Sequence, residues 1–140
     1  METEEKAYSK RINRKTLDTI RKGIHNYIIV GRRYRDVNYT AKRLAEDINT
    51  NTRYLSAAIR LHYGCNFAEL VNKLRIDEAK QMLSDPDCTM TMEDISYSSG
   101  FANRQSFYTA FAKFVGISPK EYRQQILNSR NDAFEILSFE

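Results

Sequence analysis

Apolar residues recur at helical spacing along nearly the whole chain. Leu17, Ile20, Ile24, Tyr27 and Ile28 predict a leading helix over 16–30, ended by Gly31. Leu44, Ala45 and Ile48 predict a short helix over 41–48, and Leu55, Ala58 and Ile59, with His62 or Tyr63, a second over 52–63. A longer apolar set, Phe67, Leu70, Val71, Leu74, Ile76, Ala79, Met82 and Leu83, predicts a helix over 67–84 that stops at Asp85-Pro86-Asp87. Met92 and Ile95 give one apolar face to 92–99. Phe107, Ala110, Phe111 and Phe114 fall at i, i+3, i+4 and i+7 and predict one buried stripe over 104–115. A closing helix over 119–127 and a tail over 128–140, polar and then carrying Phe134, Ile136, Leu137 and Phe139, complete the pattern. Two Pro and five Gly, the latter mostly at predicted helix ends, make the expected fold class all-α.

The polar punctuation repeats. Asn51, Leu55, Ile59, Gly64, Asn66, Glu69 and Leu70 recur 52 residues later as Asn103, Phe107, Phe111, Gly116, Ser118, Glu121 and Tyr122. Upstream, Leu44-Ala45 matches Ile95-Ser96 at an offset of 51, so the turn between differs by one residue. A repeat of this length is a supersecondary unit. In each copy a hydroxyl residue, Thr40 or Thr91, opens a short helix, and Asn51 or Asn103 opens the next. Glycine closes the second helix, and Asn66 or Ser118-Pro119 starts a third. Two short helices joined by a three- or four-residue turn form a helix-turn-helix, whose second helix lies in the DNA major groove with its N-terminal residues at base edges. The expected organisation is a polar segment 1–15, a first helix-turn-helix subdomain 16–66, a linker helix 67–85, a second subdomain 86–127 and a tail 128–140. Eighteen helical residues span about 27 Å, somewhat less than one turn of DNA at about 34 Å. Such a rod would hold two motifs about one turn apart on one side of a duplex.

Composition narrows the class. The formal charge is +4, but residues 10–75 hold 15 Lys/Arg against 5 Asp/Glu, whereas residues 76–123 hold 5 against 7. The basic excess belongs to the first motif, its leading helix and the loop Gly31–Tyr39, and suits a polyanion. A solvated basic face without ligand is the bland alternative. No apolar run reaches the length of a membrane span and the first residues lack an apolar signal region, so a cytoplasmic, nucleoid-associated protein with no membrane partner is expected. Cys65 and Cys88 have no ligand spacing and read as reduced thiols. His25 and His62 are isolated, no nucleophile triad, phosphate loop or zinc motif occurs, and no enzyme activity and no cofactor are expected.

These residues resemble the DNA-binding domain of the AraC/XylS family of bacterial transcription regulators. The resemblance covers about residues 14–125. It rests on Asp94-Ile95, Gly100-Phe101, Gln105-Ser106-Phe107, Phe111, Gly116, Ser118-Pro119 and Tyr122-Arg123, similar to the family's I-A, G-F, F-x-R-x-F, G, [ST]-P and Y-R. In the first copy it rests on Leu44-Ala45, Leu55-Ser56, Gly64, Phe67, Asn72, Arg75 and Ala79. The resemblance implies two helix-turn-helix subdomains joined by a long linker helix, double-stranded DNA as partner, and an activator or, less often, a repressor, with RNA polymerase as a further partner. Many members add a ligand-binding domain. Only about 15 residues precede the first motif here, so a stand-alone DNA-binding unit without an effector domain, or a fragment of something longer, is expected. The Arg usual in each recognition helix is replaced by Ala57 and Thr109, which shifts the expected contacts to Arg53, Arg60 and Arg104. Ser96 stands where a small Ala is usual.

The expected DNA-facing set is Thr40, Lys42, Arg43, Asn51, Arg53, Tyr54, Ser56, Ala57 and Arg60 in the first motif. In the second it is Asn103, Arg104, Gln105, Ser106, Tyr108, Thr109 and Lys113. Arg, Gln and Asn can pair bidentately with base edges, and Tyr and Thr suit phosphates or a thymine methyl. These side chains could also be only the solvated faces of amphipathic helices. Phe101, Phe107, Phe111 and Phe114 could form a stacking platform for single strands, but their helical spacing favours a core. A rival function is a degenerate helix-turn-helix that binds a protein partner, favoured by the missing Arg pair and the acidic second half. With about six phosphate contacts, affinity for duplex DNA should fall roughly a thousandfold between about 50 and 200 mM salt, read from binding titrations. A flat response would remove the electrostatic basis of DNA binding.

Overall fold

The computed structural model describes residues 13–138, and side-chain surroundings for 13–132. Residues 1–12 of the expected N-terminal segment, and the tail side chains Phe134, Ile136, Leu137 and Phe139, lie outside that description. Among the described residues every regular element is helical. The elements are α1 (Arg14–Ile24), α2 (Ala41–Ile48), α3 (Thr52–Tyr63), α4 (Phe67–Ser84), α5 (Met92–Ser99), α6 (Arg104–Val115) and α7 (Pro119–Ser138).

The caps follow from residue chemistry. Asn13, Thr40, Asn51, Asn66, Thr91, Asn103 and Ser118 each accept, through the side-chain oxygen, an N–H of the helix that begins beside them, at 2.8–3.1 Å. Each such bond satisfies one of the donors that a helix start leaves unpaired and is worth about 1 kcal/mol.

Two compact units result, residues 1–74 and 75–140. In the first, α1 packs on α2 and α3 around Ile20, Ile24, Ile28, Leu44, Leu55 and Ile59. Gly23 is the glycine that departs from the helix-end expectation. It lies inside α1, where a Cβ would meet Ile48 Cγ1 at 2.7 Å, so α1 and α2 touch more closely than any side chain permits. The leading helix does not run as one α-helix to Val30. After Ile24 it continues as a π-helical turn, His25–Val30, closed by a Gly31 N–H bond to the Asn26 carbonyl at 2.8 Å. Gly31 is not left-handed there. The loop beyond is anchored by buried Tyr34 and Tyr39, and the Tyr39 hydroxyl donates to Asp47 of α2 at 2.6 Å.

The second unit is built on aromatic rings. Phe107 lies within 5.5–5.8 Å of the Phe101, Tyr108 and Phe111 rings, and Phe111 meets Tyr122 edge-on at 5.6 Å. Such tilted pairs add about 0.5–1.5 kcal/mol beyond area burial. Phe114 departs from the expected stripe: it is 38% exposed, and Val115 packs on this core instead. Position 114 lies in the last turn of α6, at the end of the stripe. Ser96 is fully buried, and its hydroxyl donates to the Glu93 carbonyl at 2.7 Å, so the polar atom is satisfied where Ala45 stands in the first copy. The one helix α4 contributes Leu70 and Val71 to the first core and Ile76, Ala79 and Leu83 to the second. The Arg75 guanidinium of α4 lies 5.9 Å over the Phe101 ring. The closing helix α7 extends to Ser138 rather than stopping at 127, since residues 128–138 contain no Gly or Pro to break it.

The turns of the two motifs are superposable in their bonding. Asn49 at φ 62° and Gly100 at φ 109° occupy the same left-handed position after α2 and α5. The next residue closes the loop in both, Thr50 N–H to the Ala45 carbonyl at 2.8 Å and Phe101 N–H to the Ser96 carbonyl at 2.9 Å. At φ 62° Asn is tolerated, whereas φ 109° lies outside the region open to side-chain-bearing residues. Gly100→Val should therefore lower unfolding free energy by about 2 kcal/mol, and Asn49→Gly should change it by less than about 1 kcal/mol. Urea unfolding followed by circular dichroism checks the pair, and an unshifted midpoint for Gly100→Val contradicts the turn's role.

Candidate nucleic-acid interface

Each recognition helix is oriented by three things: its Asn cap, the left-handed turn before it, and its inward stripe. In α3 the inward stripe is Leu55, Ala58 and Ile59. The side chains opposite it, at i, i+4 and i+7, are Arg53, Ala57 and Arg60. In α6 the inward stripe is Phe107, Ala110 and Phe111, and the opposed positions are Gln105, Thr109 and Ala112. The two outward faces therefore differ in kind. The first carries two guanidinium groups two turns apart, about 10 Å along the axis. The second carries an amide, a hydroxyl and a methyl group.

Most of the expected set is exposed: Lys42, Arg43, Arg53, Ser56 and Arg60 in the first unit, and Arg104, Gln105, Ser106, Thr109 and Lys113 in the second. Tyr54 and Tyr108 are half-buried and pack on their respective cores. Ala57 differs from the expected outward face: it is only 2% exposed, and it lies between the exposed Arg53 and Arg60 along the helix. Thr40, Asn51 and Asn103 are exposed, but their side-chain oxygens are engaged with the helices they cap.

Around the N-terminus of α2 the charges are arranged. Arg43 pairs with Asp47 at 3.5 Å, and Asp47 also accepts the Tyr39 hydroxyl. Burial and the Asp47 carboxylate push the Tyr39 phenol above its ordinary range, so it stays a donor. Lys42, Arg33 and Arg43 line a depression of about 480 Å³ together with Asp36, Glu46 and Asp47. That mixture of signs makes it no anion site by itself. In α6, Arg104 stacks over Tyr108 at 5.8 Å and leaves the outward face for the flank. Lys113 lies 5.7 Å over Phe114 in the last turn, where a cation complements the helix dipole.

A second depression, of about 490 Å³, is bordered by Arg104, Lys120 and Arg123. Lys120 and Arg123 lie outside the set that sequence reasoning singles out. The Tyr122-Arg123 pair belongs to the motif that resembles the family, but no periodicity marks Arg123 as lining a recess. Among the described residues no cluster of His, Cys, Asp and Glu could hold a metal ion, and no helix is long and apolar enough to cross a membrane.

Comparison with known proteins agrees with this geometry. The family profile described as "Helix-turn-helix domain" matches residues 44–125. The HTH-type transcriptional regulator YtdP of Bacillus subtilis is 35% identical over 86 residues, which cover 61% of this chain and 11% of that protein. The melibiose operon regulatory protein of Escherichia coli is 29% identical over 89 residues, covering 64% of this chain and 29% of that protein. The chain thus spans less than a third of the length of either relative. The DNA-binding domain of AdpA, a global transcriptional factor crystallised with a target DNA, shares the fold at a TM-score of 0.70 and 15% identity, over 80% of this chain and 96% of that one. The first of these is named a transcriptional regulator and the second an operon regulatory protein. The chain belongs to the AraC/XylS family of helix-turn-helix transcription regulators, and what it carries is that family's DNA-binding domain.

Proposed function

We propose that this chain regulates transcription by reading one asymmetric site on double-stranded DNA, with α3 and α6 entering adjacent segments of the major groove. The observation that carries the reading is the twofold use of one device. A left-handed turn, an Asn cap and an inward stripe present the N-terminal turns of α3 and α6 outward in the same way. A similar domain, that of AdpA, is known bound to a target DNA. The chain acts as a monomer on such a site or as each protomer of a dimer.

The two helices divide the work. Arg53 and Arg60 supply charge for phosphates along the first groove segment, and Lys42 and Arg43 add to it from α2. Gln105 and Thr109 supply hydrogen-bonding edges in the second. Phosphate contacts position a protein without sequence preference, whereas base contacts discriminate. Arg53→Ala or Arg60→Ala should weaken binding to every duplex and reduce the log–log salt slope by about 1. Gln105→Ala should cost about 1–3 kcal/mol on the preferred site and nothing on a scrambled one. The measurement is affinity for one duplex selected from a random pool and one scrambled duplex, over a salt series. If Gln105→Ala leaves the ratio of the two affinities unchanged, α6 does not read bases through it. If the wild-type chain selects no duplex and instead captures a protein partner, the rival protein-interaction function stands.

A further inference from the structure

The second unit has a basic recess on a face that its overall charge does not predict. Residues 76–123 hold 5 Lys/Arg against 7 Asp/Glu, yet three of those five cations, Arg104, Lys120 and Arg123, line one depression of about 490 Å³. Thr91, Glu93 and Tyr108 complete its wall. Glu93 is the one carboxylate there, and it accepts the Tyr97 hydroxyl at 3.3 Å. Arg123 Nη2 is buried and has no hydrogen-bond partner. Arg123 as a whole is half-buried, and its guanidinium stays protonated, so it holds a fixed positive charge at the wall of the recess. The start of α5, capped by Thr91, lies at the same wall and adds the positive end of a helix dipole.

We propose that this recess seats one phosphate of the DNA backbone, with Arg123, Arg104 and Lys120 as the cationic wall that holds it. The proposal rests on the reading of α6 as a recognition helix. Arg104 and Tyr108 are the first and fifth residues of that helix, and Thr91 caps the helix before it. When the N-terminal turn of a recognition helix faces base edges, the groove wall beside it is sugar-phosphate, and the preceding helix crosses that backbone. A cationic pocket bounded by both elements meets a phosphate. It gives the second unit the sequence-independent anchor that Gln105, Thr109 and Ala112 lack.

The test uses the whole chain with Arg123→Gln and Lys120→Gln. Each variant is titrated with the selected and the scrambled duplex over a salt series, with melting temperatures recorded alongside. Arg123→Gln should weaken both duplexes alike, by about tenfold, the scale of one charge-assisted hydrogen bond. It should also lower the salt slope by about 0.9, the value for one phosphate. Lys120 is exposed, so Lys120→Gln should lower the slope at an unchanged melting temperature. Duplexes carrying single neutral methylphosphonates complete the test: one position should weaken the wild type and leave Arg123→Gln no weaker than before. If Arg123→Gln melts early, Lys120→Gln and the wild-type methylphosphonate scan decide. An unchanged slope for Lys120→Gln, or no methylphosphonate position whose effect Arg123→Gln abolishes, overturns the phosphate seat while leaving DNA binding intact. A wild-type chain that binds no duplex overturns both this proposal and the function it rests on.

Discussion

The chain must leave one helix and enter the next within three or four residues, and it does so by placing one residue in the left-handed conformation. For an L-residue this costs about 1–2 kcal/mol, so the position admits Asn at φ 62° or Gly at φ 109° and little else. The cost is offset by the bond from the following N–H back across the last turn of α2 or α5. Everything outward of the turn depends on this conformation. It sets where Asn51 and Asn103 can cap, and the cap sets the rotation of α3 and α6. That rotation decides that Leu55 and Phe107 point inward while Arg53 and Gln105 point away.

On this shared skeleton the two units are filled differently. The first core is largely aliphatic, with Ile20, Ile24, Ile28, Leu44, Leu55 and Ile59, and the second is largely aromatic around Phe107. Cores accept such exchange when volume and patterning are kept. The exchange leaves the backbone device intact while the outward faces differ. One is cationic, and the other carries neutral hydrogen-bonding groups with its cations at the flank.

Much of this was legible in the residues. The caps at Thr40, Asn51, Asn66, Thr91, Asn103 and Ser118 are local chemistry, each needing only a short polar side chain and the next three residues, and every one is formed. The long helix was legible because Asp85-Pro86 ends it cleanly. What escaped depends on neighbours distant in sequence or on rims. Ala57 and Phe114 obey the outward and inward halves of a helical wheel, yet one is buried and the other is exposed at a helix end. The π-turn at His25–Val30 leaves no mark in apolar spacing, since an extra residue per turn over a single turn shifts the stripe only slightly. The recess at Arg123 is assembled from α5, α6 and α7, so no single stretch of chain announces it.

Gly23 joins α1 to α2 without a gap. Ile48, whose side chain fills the space a Cβ would need, is also the last residue of α2 before the left-handed turn. A close-packed interior has little compliance, so displacement of one helix is passed to the other rather than absorbed. The leading helix is in this sense a handle on the first reading head: a force that slides or tilts α1 reaches α3 both directly and through Ile48, at the turn that aims it.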